Sequence, residues 1–279
     1  MPPRTSVSVT LTRPKKSLGQ TFLIDDNIAR NIIRDLRLSP DDVVVEIGPG
    51  HGALTKYLAE RVHKLIAVEI DQRIVGELAV RFESPSVTII NQDFLALDLR
   101  ALQARVGRKL RLVGNIPYHL TSPILLKAFD ERVALRDCTL MVQREVAQRL
   151  AANPCTKQYG IPSVYARFYG ELGILFNVSP NCFYPKPKVS SAVIQETLFE
   201  KLPYKVDEQL FRTVVRTAFG KRRKTVRNAL KYLPFEKDLV QTFVGASNPL
   251  FDKRPEQLAV AHYVELTNTI EERLHGSRN

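Results

Sequence analysis

Val43-Val44-Val45-Glu46-Ile47 runs directly into Gly48-Pro49-Gly50-His51-Gly52 and then into helical spacing that reaches about Arg61. No other stretch restricts the fold as tightly. A short β-branched run without polar alternation predicts a strand buried on both faces. Glycines at its end permit a sharp reversal and close approach of a ligand to the main chain. The same grammar recurs downstream. Leu65-Ile66-Ala67-Val68 predicts a second buried strand ending at Glu69, followed by a helix over Gln72 to Phe82. Val87 to Ile90 leads to Asp93, and Leu110 to Val113 leads to Asn115 and a helix over Thr121 to Phe129, with Pro123 tolerable in its first turn. Thr139 to Val142 precedes a helix over Glu145 to Ala152. Ahead of the series, Ile28, Ile32, Ile33 and Leu36 share one face of a helix over Asp25 to Leu38, with Asp25 or Asp26 as its cap. Strands alternating with helices predict an α/β fold built on a parallel sheet with right-handed crossovers. Two later strands are expected at Ile174 to Val178 and Val189 to Leu198, the second alternating as a half-exposed antiparallel strand would.

Beyond about Lys201 the texture changes. Phe211 to Tyr232 reads as a basic helix holding Lys221, Arg222, Arg223, Lys224 and Arg227, and Glu256 to Leu274 is helical again. The expected organisation is a basic arm over 1–14, a large α/β domain over 15–200 and a small all-helical domain over 201–279. The formal net charge of +12 favours a polyanionic partner, most simply nucleic acid, over an acidic small molecule. No run approaches the length of a membrane span, so no membrane partner is expected. Three widely spaced cysteines form neither a disulfide framework nor a zinc site, which fits a reducing compartment. The five histidines lack metal-ligand spacing, and no metal is expected.

In open parallel sheets, ligands sit beyond the carboxyl ends of the strands. The glycine turn, Glu69, Asp93 and Asn115 all fall there. The spacing is Gly-x-Gly-x-Gly rather than the Gly-x-Gly-x-x-Gly of dinucleotide enzymes. An acid about 20 positions on, at Glu69, suits both hydroxyls of a ribose, so an adenosine-containing cofactor is indicated. Asp93 reads either as a turn cap or as an acceptor for an adenine amine. Asn115-Ile116-Pro117-Tyr118 is a stiff corner, because Pro117 fixes its own φ and biases Ile116 away from helix. It offers an amide, backbone carbonyls and an aromatic face: a strand-ending turn at the least, and a holder for a flat ring with an exocyclic amine at the most.

These motifs resemble the S-adenosylmethionine-dependent rRNA adenine dimethyltransferases. Lys15-Lys16-Ser17-Leu18-Gly19-Gln20 running into Phe22-Leu23, Gln143-Arg144-Glu145, Tyr159-Gly160, Phe183-x-Pro185-x-Pro187-Lys188-Val189 and Arg254-Pro255-Glu256 extend the resemblance from about Lys15 to about Val264. Within that family the chain is most similar to the group acting on the 3′-terminal hairpin of small-subunit (16S) rRNA. The large-subunit rRNA resistance dimethylases share most motifs, and a ribosome-assembly or nucleic-acid-binding factor with incidental methylation is the rival of another class. The resemblance implies a Rossmann-like methyltransferase fold and a soluble, cytoplasmic, monomeric enzyme. It would act on immature 30S subunits and convert S-adenosylmethionine to S-adenosylhomocysteine. It further implies cofactor contacts from Thr21, which stands where the family has Asn, from the Leu23 backbone, and from Gly48, Gly50, Glu69, Asp93 and Asn115. The target adenine would stack on Tyr118 with Phe183 on its other face, its amine bonded to Asn115 and to the Ile116 or Pro117 carbonyl. The prolines flanking Phe183 suggest an exposed, stiff loop. Lys221, Arg222, Arg223, Lys224 and Arg227 would grip RNA phosphates.

Overall fold

A computed structural model of the chain describes residues 12–276. Apart from its last three positions, the expected arm over 1–14 lies outside the described residues. In chain order the elements are β1 (Phe22–Leu23), α1 (Asp26–Asp35), β2 (Val43–Ile47), α2 (Thr55–Leu58), β3 (Lys64–Glu69), α3 (Gln72–Arg81), β4 (Val87–Asn91), α4 (Leu99–Val106) and β5 (Leu110–Asn115). There follow α5 (Thr121–Asp130), β6 (Leu135–Gln143), α6 (Arg144–Leu150), α7 (Ile161–Tyr169), β7 (Gly170–Val178), β8 (Phe183–Tyr184) and β9 (Ser191–Leu198). Four more helices close the series: α8 (Glu208–Gly220), α9 (Val226–Leu230), α10 (Lys237–Gly245) and α11 (Val260–Gly276).

The chain divides into two compact units. One runs up to Ala147 and takes in Gly173–Glu200; the other joins Gln148–Leu172 to the chain from Lys201 onward. A boundary at 200 alone is therefore corrected, because the second unit also claims a segment from within 15–200.

The first unit is built on the sheet β4-β3-β2-β5-β6-β9-β7. The first five strands in that order are parallel, and β9 runs antiparallel to β6. All five residues of β2 are buried, as an unalternating β-branched run requires at the middle of a sheet. Register brings the carboxyl ends level: Ile47 pairs with both Val68 and Gly114, and Glu69 pairs with Asn91. α1 buries Ala29, Ile32 and Ile33, and the Asp25 carboxylate accepts from the Asn27 and Ile28 amides at its start. Asp71 and Asp98 cap α3 and α4 in the same way. The helix expected to reach Arg61 is only the single turn α2. The half-exposed strand expected at Val189 to Leu198 is also corrected. β9 lies between β6 and β7 and buries every position but Gln195 and Thr197, whereas edge strand β7 is mostly exposed or half-buried.

The carboxyl half of α1, the loop after it, β5 and β6 are joined by one buried cation. Arg111, 2% exposed, donates from Nε to both Asp137 oxygens at 3.0 Å, from Nη1 to Asp42 Oδ2 at 2.7 Å and from Nη2 to the Leu36 carbonyl at 2.7 Å. Every arm of the guanidinium has an acceptor, which is the condition under which a buried charge is tolerated.

Apart from the first three residues of β7, the regular structure of the second unit is helical. α8 buries Phe211, Val214, Val215 and Ala218. Phe168 of α7 stacks on Phe211 at 3.9 Å and lies parallel to Tyr204 at 5.8 Å. The buried hydroxyls of Tyr159 and Tyr263 donate to the Leu258 and Pro255 carbonyls. These rings are what draw Gln148–Leu172 into the helical unit.

Replacing Arg111 by Met leaves Asp137 buried without its cation and is expected to cost about 3–5 kcal/mol in urea unfolding, whereas the double change Arg111→Met, Asp137→Leu recovers most of that loss. Equal stabilities for the wild type and the single variant would show that the pair does not hold β5 to β6.

Candidate active site

The levelled strand ends open into a cavity of about 240 Å³. Thr21, Leu23, Gly48, Gly50, Glu69, Asp93, Asn115 and Pro117 all line it, so eight of the positions singled out from sequence meet in one place. Tyr118 and Phe183 are not on the lining.

One wall is the strap formed by residues 15–23. Gln20 holds it at two points: its Oε1 accepts from the Lys15 amide at 2.7 Å, and its Nε2 donates to Asp71 at 3.2 Å. The strap then enters β1, where Phe22 pairs with Tyr184 and Leu23 with Phe183 in an antiparallel two-stranded sheet. Asn115 completes the attachment, its Nδ2 donating to the Thr21 carbonyl at 2.9 Å. Thr21 thus contributes main chain here, and this hydrogen bond does not depend on its side chain.

The glycine turn forms the floor. Gly48 and Gly50 have φ of 62° and 54°, in the left-handed region that favours glycine. A Cβ at Gly50 would lie 2.8 Å from the Phe22 ring, whereas one at Gly48 would meet nothing within 4 Å. The first glycine lets the strap close down; the second leaves bare backbone facing open space. His51 packs its ring on Phe22 at 4.1 Å and places Nδ1 3.1 Å from Glu77.

Two carboxyls end up beside this floor. Glu69, 4% exposed, accepts from the Asp71 amide at 2.9 Å. Burial raises its pKa, while the Asp71, Gly50 and Ile70 amides oppose the rise. Glu46 is buried more completely. Burial pushes it up to about 8, a hydrogen bond from Thr55 Oγ1 at 2.7 Å pulls it down, and the charge of Glu69 adds to the rise. Asp93 accepts from the Leu95 amide at 2.9 Å and also lines the cavity, so cap and lining residue are one side chain.

At the corner after β5, Asn115 and Tyr118 are half-buried and Ile116 is buried. The Pro117 carbonyl accepts from the Leu120 amide at 2.9 Å. The Tyr118 hydroxyl shares a hydrogen bond of 2.7 Å with Ser191 Oγ at the start of β9, and burial raises its pKa. Phe183 corrects the expectation of an exposed loop. It is 3% exposed and packs in the core with Leu23, Met141 and Val193, because β8 pairs it inward against β1. Tyr184, the next residue on the strand, is the exposed ring.

In the second unit, the basic run is not on one helix. α8 stops at Gly220, and Lys221 to Lys224 form the turn before α9, on which Arg227 lies. Arg222 donates to the Lys157 carbonyl at 2.8 Å and pairs with Glu256 at 3.7 Å. Arg227 donates to the Val244 carbonyl, pairs with Asp252 at 3.6 Å and lies over the Phe251 ring. Lys221, Arg223 and Lys224 are exposed.

Sequence reasoning missed Phe22, Glu46, His51 and Ser191 as parts of this site. Glu46 and His51 stand inside the glycine motif and could have been read from it. Ser191 carried no local signal.

Comparison with known proteins converges on one group. The ribosomal RNA adenine dimethylase family model matches residues 12–265. The chain is 41% identical over 265 residues to the ribosomal RNA small subunit methyltransferase A of Alkaliphilus oremlandii, covering 93% of this chain and 92% of the relative. It is 43% identical over 257 residues to the protein of the same name from Parabacteroides distasonis, covering 92% and 94%. Among solved structures, a dimethyladenosine transferase from Plasmodium falciparum superposes with a TM-score of 0.76 at 21% identity, covering 90% of this chain and 98% of that one. The 23S rRNA methyltransferase ErmE gives 0.64 at 24% identity, covering 88% and 99%. At those identities the structures bear on the fold, which is that of Rossmann-like methyltransferases with a helical C-terminal part.

The raised pKa of Glu46 makes stability depend on pH. Below its ordinary value of 4.5 both folded and unfolded states hold the proton; between there and about 8 only the folded state does; above about 8 neither does. Its contribution is therefore fully present in acid and is lost as pH rises through that window, by on the order of several kcal/mol in total. Glu46→Gln is expected to flatten this slope in urea titrations, and identical slopes for variant and wild type would remove Glu46 as its source.

Proposed function

Because the chain belongs to the ribosomal RNA adenine dimethylase family, we propose that it transfers methyl groups from S-adenosylmethionine to the N6 amines of two adjacent adenosines in the 3′-terminal hairpin of small-subunit rRNA. The product is N6,N6-dimethyladenosine, formed during ribosome biogenesis on immature small subunits. The observation that carries the reading is the meeting of the glycine turn, Glu69, Asp93 and Asn115 in one cavity. The relatives with 41% and 43% identity are named for the small subunit, which favours this reading over a large-subunit resistance enzyme. The rival assembly-factor reading has no use for an amide fixed at the mouth of an adenosine-sized cavity.

The residues present fit an adenosyl cofactor. Gly48 offers bare backbone with no atom where a side chain would stand, which suits the methionine end. Glu69 at the end of β3 is placed to accept from ribose hydroxyls, and Asp93 at the end of β4 from an adenine amine. Leu23 and Thr21 present main chain from the strap. When bound, S-adenosylmethionine supplies an electrophilic methyl on a sulfonium, so the protein needs no metal and no activated nucleophile of its own.

The chain's task is orientation. The lone pair of an adenine amine is delocalised into the ring. Asn115 Nδ2 is already committed to Thr21, so its Oδ1 is the acceptor left for an N6–H. The Ile116 carbonyl, or the second lone pair of the Pro117 carbonyl, takes the other. Two acceptors on the NH2 draw the nitrogen out of conjugation and aim it, which is positioning with electrostatic stabilisation rather than base catalysis. Tyr118 supplies an aromatic face for a base removed from its stack. Its hydroxyl is bonded to Ser191, and burial raises its pKa. Phe183, buried behind Leu23, backs the strap rather than offering a second face.

Of the basic run, Lys221, Arg223 and Lys224 are the exposed cations that would meet RNA phosphates, while Arg222 and Arg227 shape the turn that presents them. The enzyme acts as a monomer in the cytoplasm. Among the described residues no helix is long and apolar enough to cross a membrane.

Asn115→Ala is expected to lower kcat by about 100-fold or more, with the affinity for immature small subunits little changed. Methyl incorporation from labelled S-adenosylmethionine, followed by mass-spectrometric mapping of the adenosines, measures the effect. Undiminished dimethylation would overturn the site.

A further inference from the structure

Away from the cavity, one surface segment of the first unit combines an exposed ring, two cations and a stiff backbone. Tyr184 is 59% exposed and Val189 is 44% exposed, and Pro185, Lys186 and Lys188 between them are surface residues as well. Pro185 and Pro187 fix their own φ and bias their predecessors toward extended conformations, so little entropy remains to be lost when a ligand docks. Both ends of the segment are fastened to the site. At one end β8 pairs Tyr184 with Phe22 and Phe183 with Leu23, and both partners line the cavity. At the other end Ser191 holds the Tyr118 hydroxyl at 2.7 Å. The segment therefore runs from the strap that walls the cavity to the ring that follows Asn115.

Folding does not account for the exposed ring. Successive residues of a strand face opposite ways, and it is Phe183 that enters the core while Tyr184 turns outward. An aromatic face with neighbouring cations on a stiff support beside a catalytic mouth is the composition that binds single-stranded nucleic acid: the ring stacks on a base of any identity, and the cations meet phosphates.

We propose that Tyr184, Lys186 and Lys188 form a docking surface for an unpaired nucleotide flanking the target adenosine, with Tyr184 stacked on that base and the lysines on adjoining phosphates. This rests on the RNA-methylating function proposed above. It gives the substrate a hold next to the site, within the first unit itself. A flanking base held on a fixed ring would also limit where the next nucleotide can swing out, so the surface contributes to which adenosine is presented.

The test uses the full chain, immature small subunits and S-adenosylmethionine. Tyr184→Ala is expected to raise KM for the subunits ~5- to 100-fold, the range set by removal of one base–aromatic stack, with kcat and the cofactor Kd unchanged. Tyr184→Phe and Tyr184→Trp are expected to retain wild-type KM. Lys186→Gln combined with Lys188→Gln is expected to reduce the slope of log affinity against log salt by about 0.7 for each phosphate no longer neutralised. An unchanged KM in Tyr184→Ala overturns the proposal. So does a rise in KM accompanied by weaker cofactor binding and not rescued by Phe or Trp, since that pattern marks a structural role through β1. A wild-type protein that transfers no methyl group to adenosine fails the proposed function itself, a result distinct from both.

Discussion

The amide of Asn115 can sit in only one way. The Thr21 carbonyl is an acceptor, so it must face the NH2 of the side chain, and the bond of 2.9 Å between them turns Oδ1 away from the strap. An amide fixed in this way has its oxygen, its one acceptor atom, placed away from the strap, while one of its two N–H donors is taken up by Thr21. That polarity is what an amine substrate requires, and it depends on a carbonyl contributed from far away in the sequence. The attachments of the strap therefore have a chemical purpose. Gln20 to Asp71 and the pairing of β1 with β8 hold the carbonyl that orients the amide. Thr21 makes this hydrogen bond through its backbone, so the side chain that differs from the family pattern lies outside the constraint.

The floor obeys a complementary constraint. Parallel strands in register deliver their carboxyl ends to a common level, and an acidic residue at such an end is either paired or buried at a cost. Glu69 is met by backbone amides and stays polar toward the cavity. Glu46 is bonded by Thr55 and deeply buried, and burial pushes its pKa up to about 8. The same sheet edge thus provides one carboxyl suited to accepting hydrogen bonds and another that adds no second negative charge beside it. The glycines divide the work in a related way: Gly50 yields space to Phe22 and Gly48 leaves it open.

How much could be read from residues alone follows from where the information lies. The five parallel strands were legible because β-branched runs bounded by turn residues have few other uses, and their ends located Glu69, Asp93 and Asn115. α4 escapes a reading from sequence, since of its five apolar residues only Leu99 and Leu102 are buried and the small Ala101 and Ala104 blur the period. α7 was not read because its aromatic and β-branched residues suit strand as well as helix, and Pro162 follows Ile161 at its start. Phe183 was misplaced by a sound local argument: prolines do mark a stiff exposed segment, but it begins one residue later, and alternation along β8 sends Phe183 inward. Pairing of β1 with β8 and the bond from Ser191 to Tyr118 join positions remote in sequence, and no composition or spacing encodes such pairs.

The basic run shows the limit of counting charge. A net charge of +12 indicates the kind of partner, because a polyanion is favoured by any excess of cations. It does not indicate which cations reach that partner. Arg222 and Arg227 bond to backbone carbonyls and to Glu256 and Asp252, so their charge goes into shaping the turn between α8 and α9. Lys221 and Lys224 place their ammonium groups over the exposed Tyr232 ring at 4.7 and 5.2 Å, and Lys224 Nζ also donates to the Tyr232 hydroxyl at 3.2 Å. Arginine's rigid fork satisfies several carbonyls at once, whereas a lysine is a point charge on a flexible stem. That difference in side-chain chemistry sorts the run into arginines bonded to backbone carbonyls of the turn and lysines gathered on an exposed ring, with Arg223 the exposed exception.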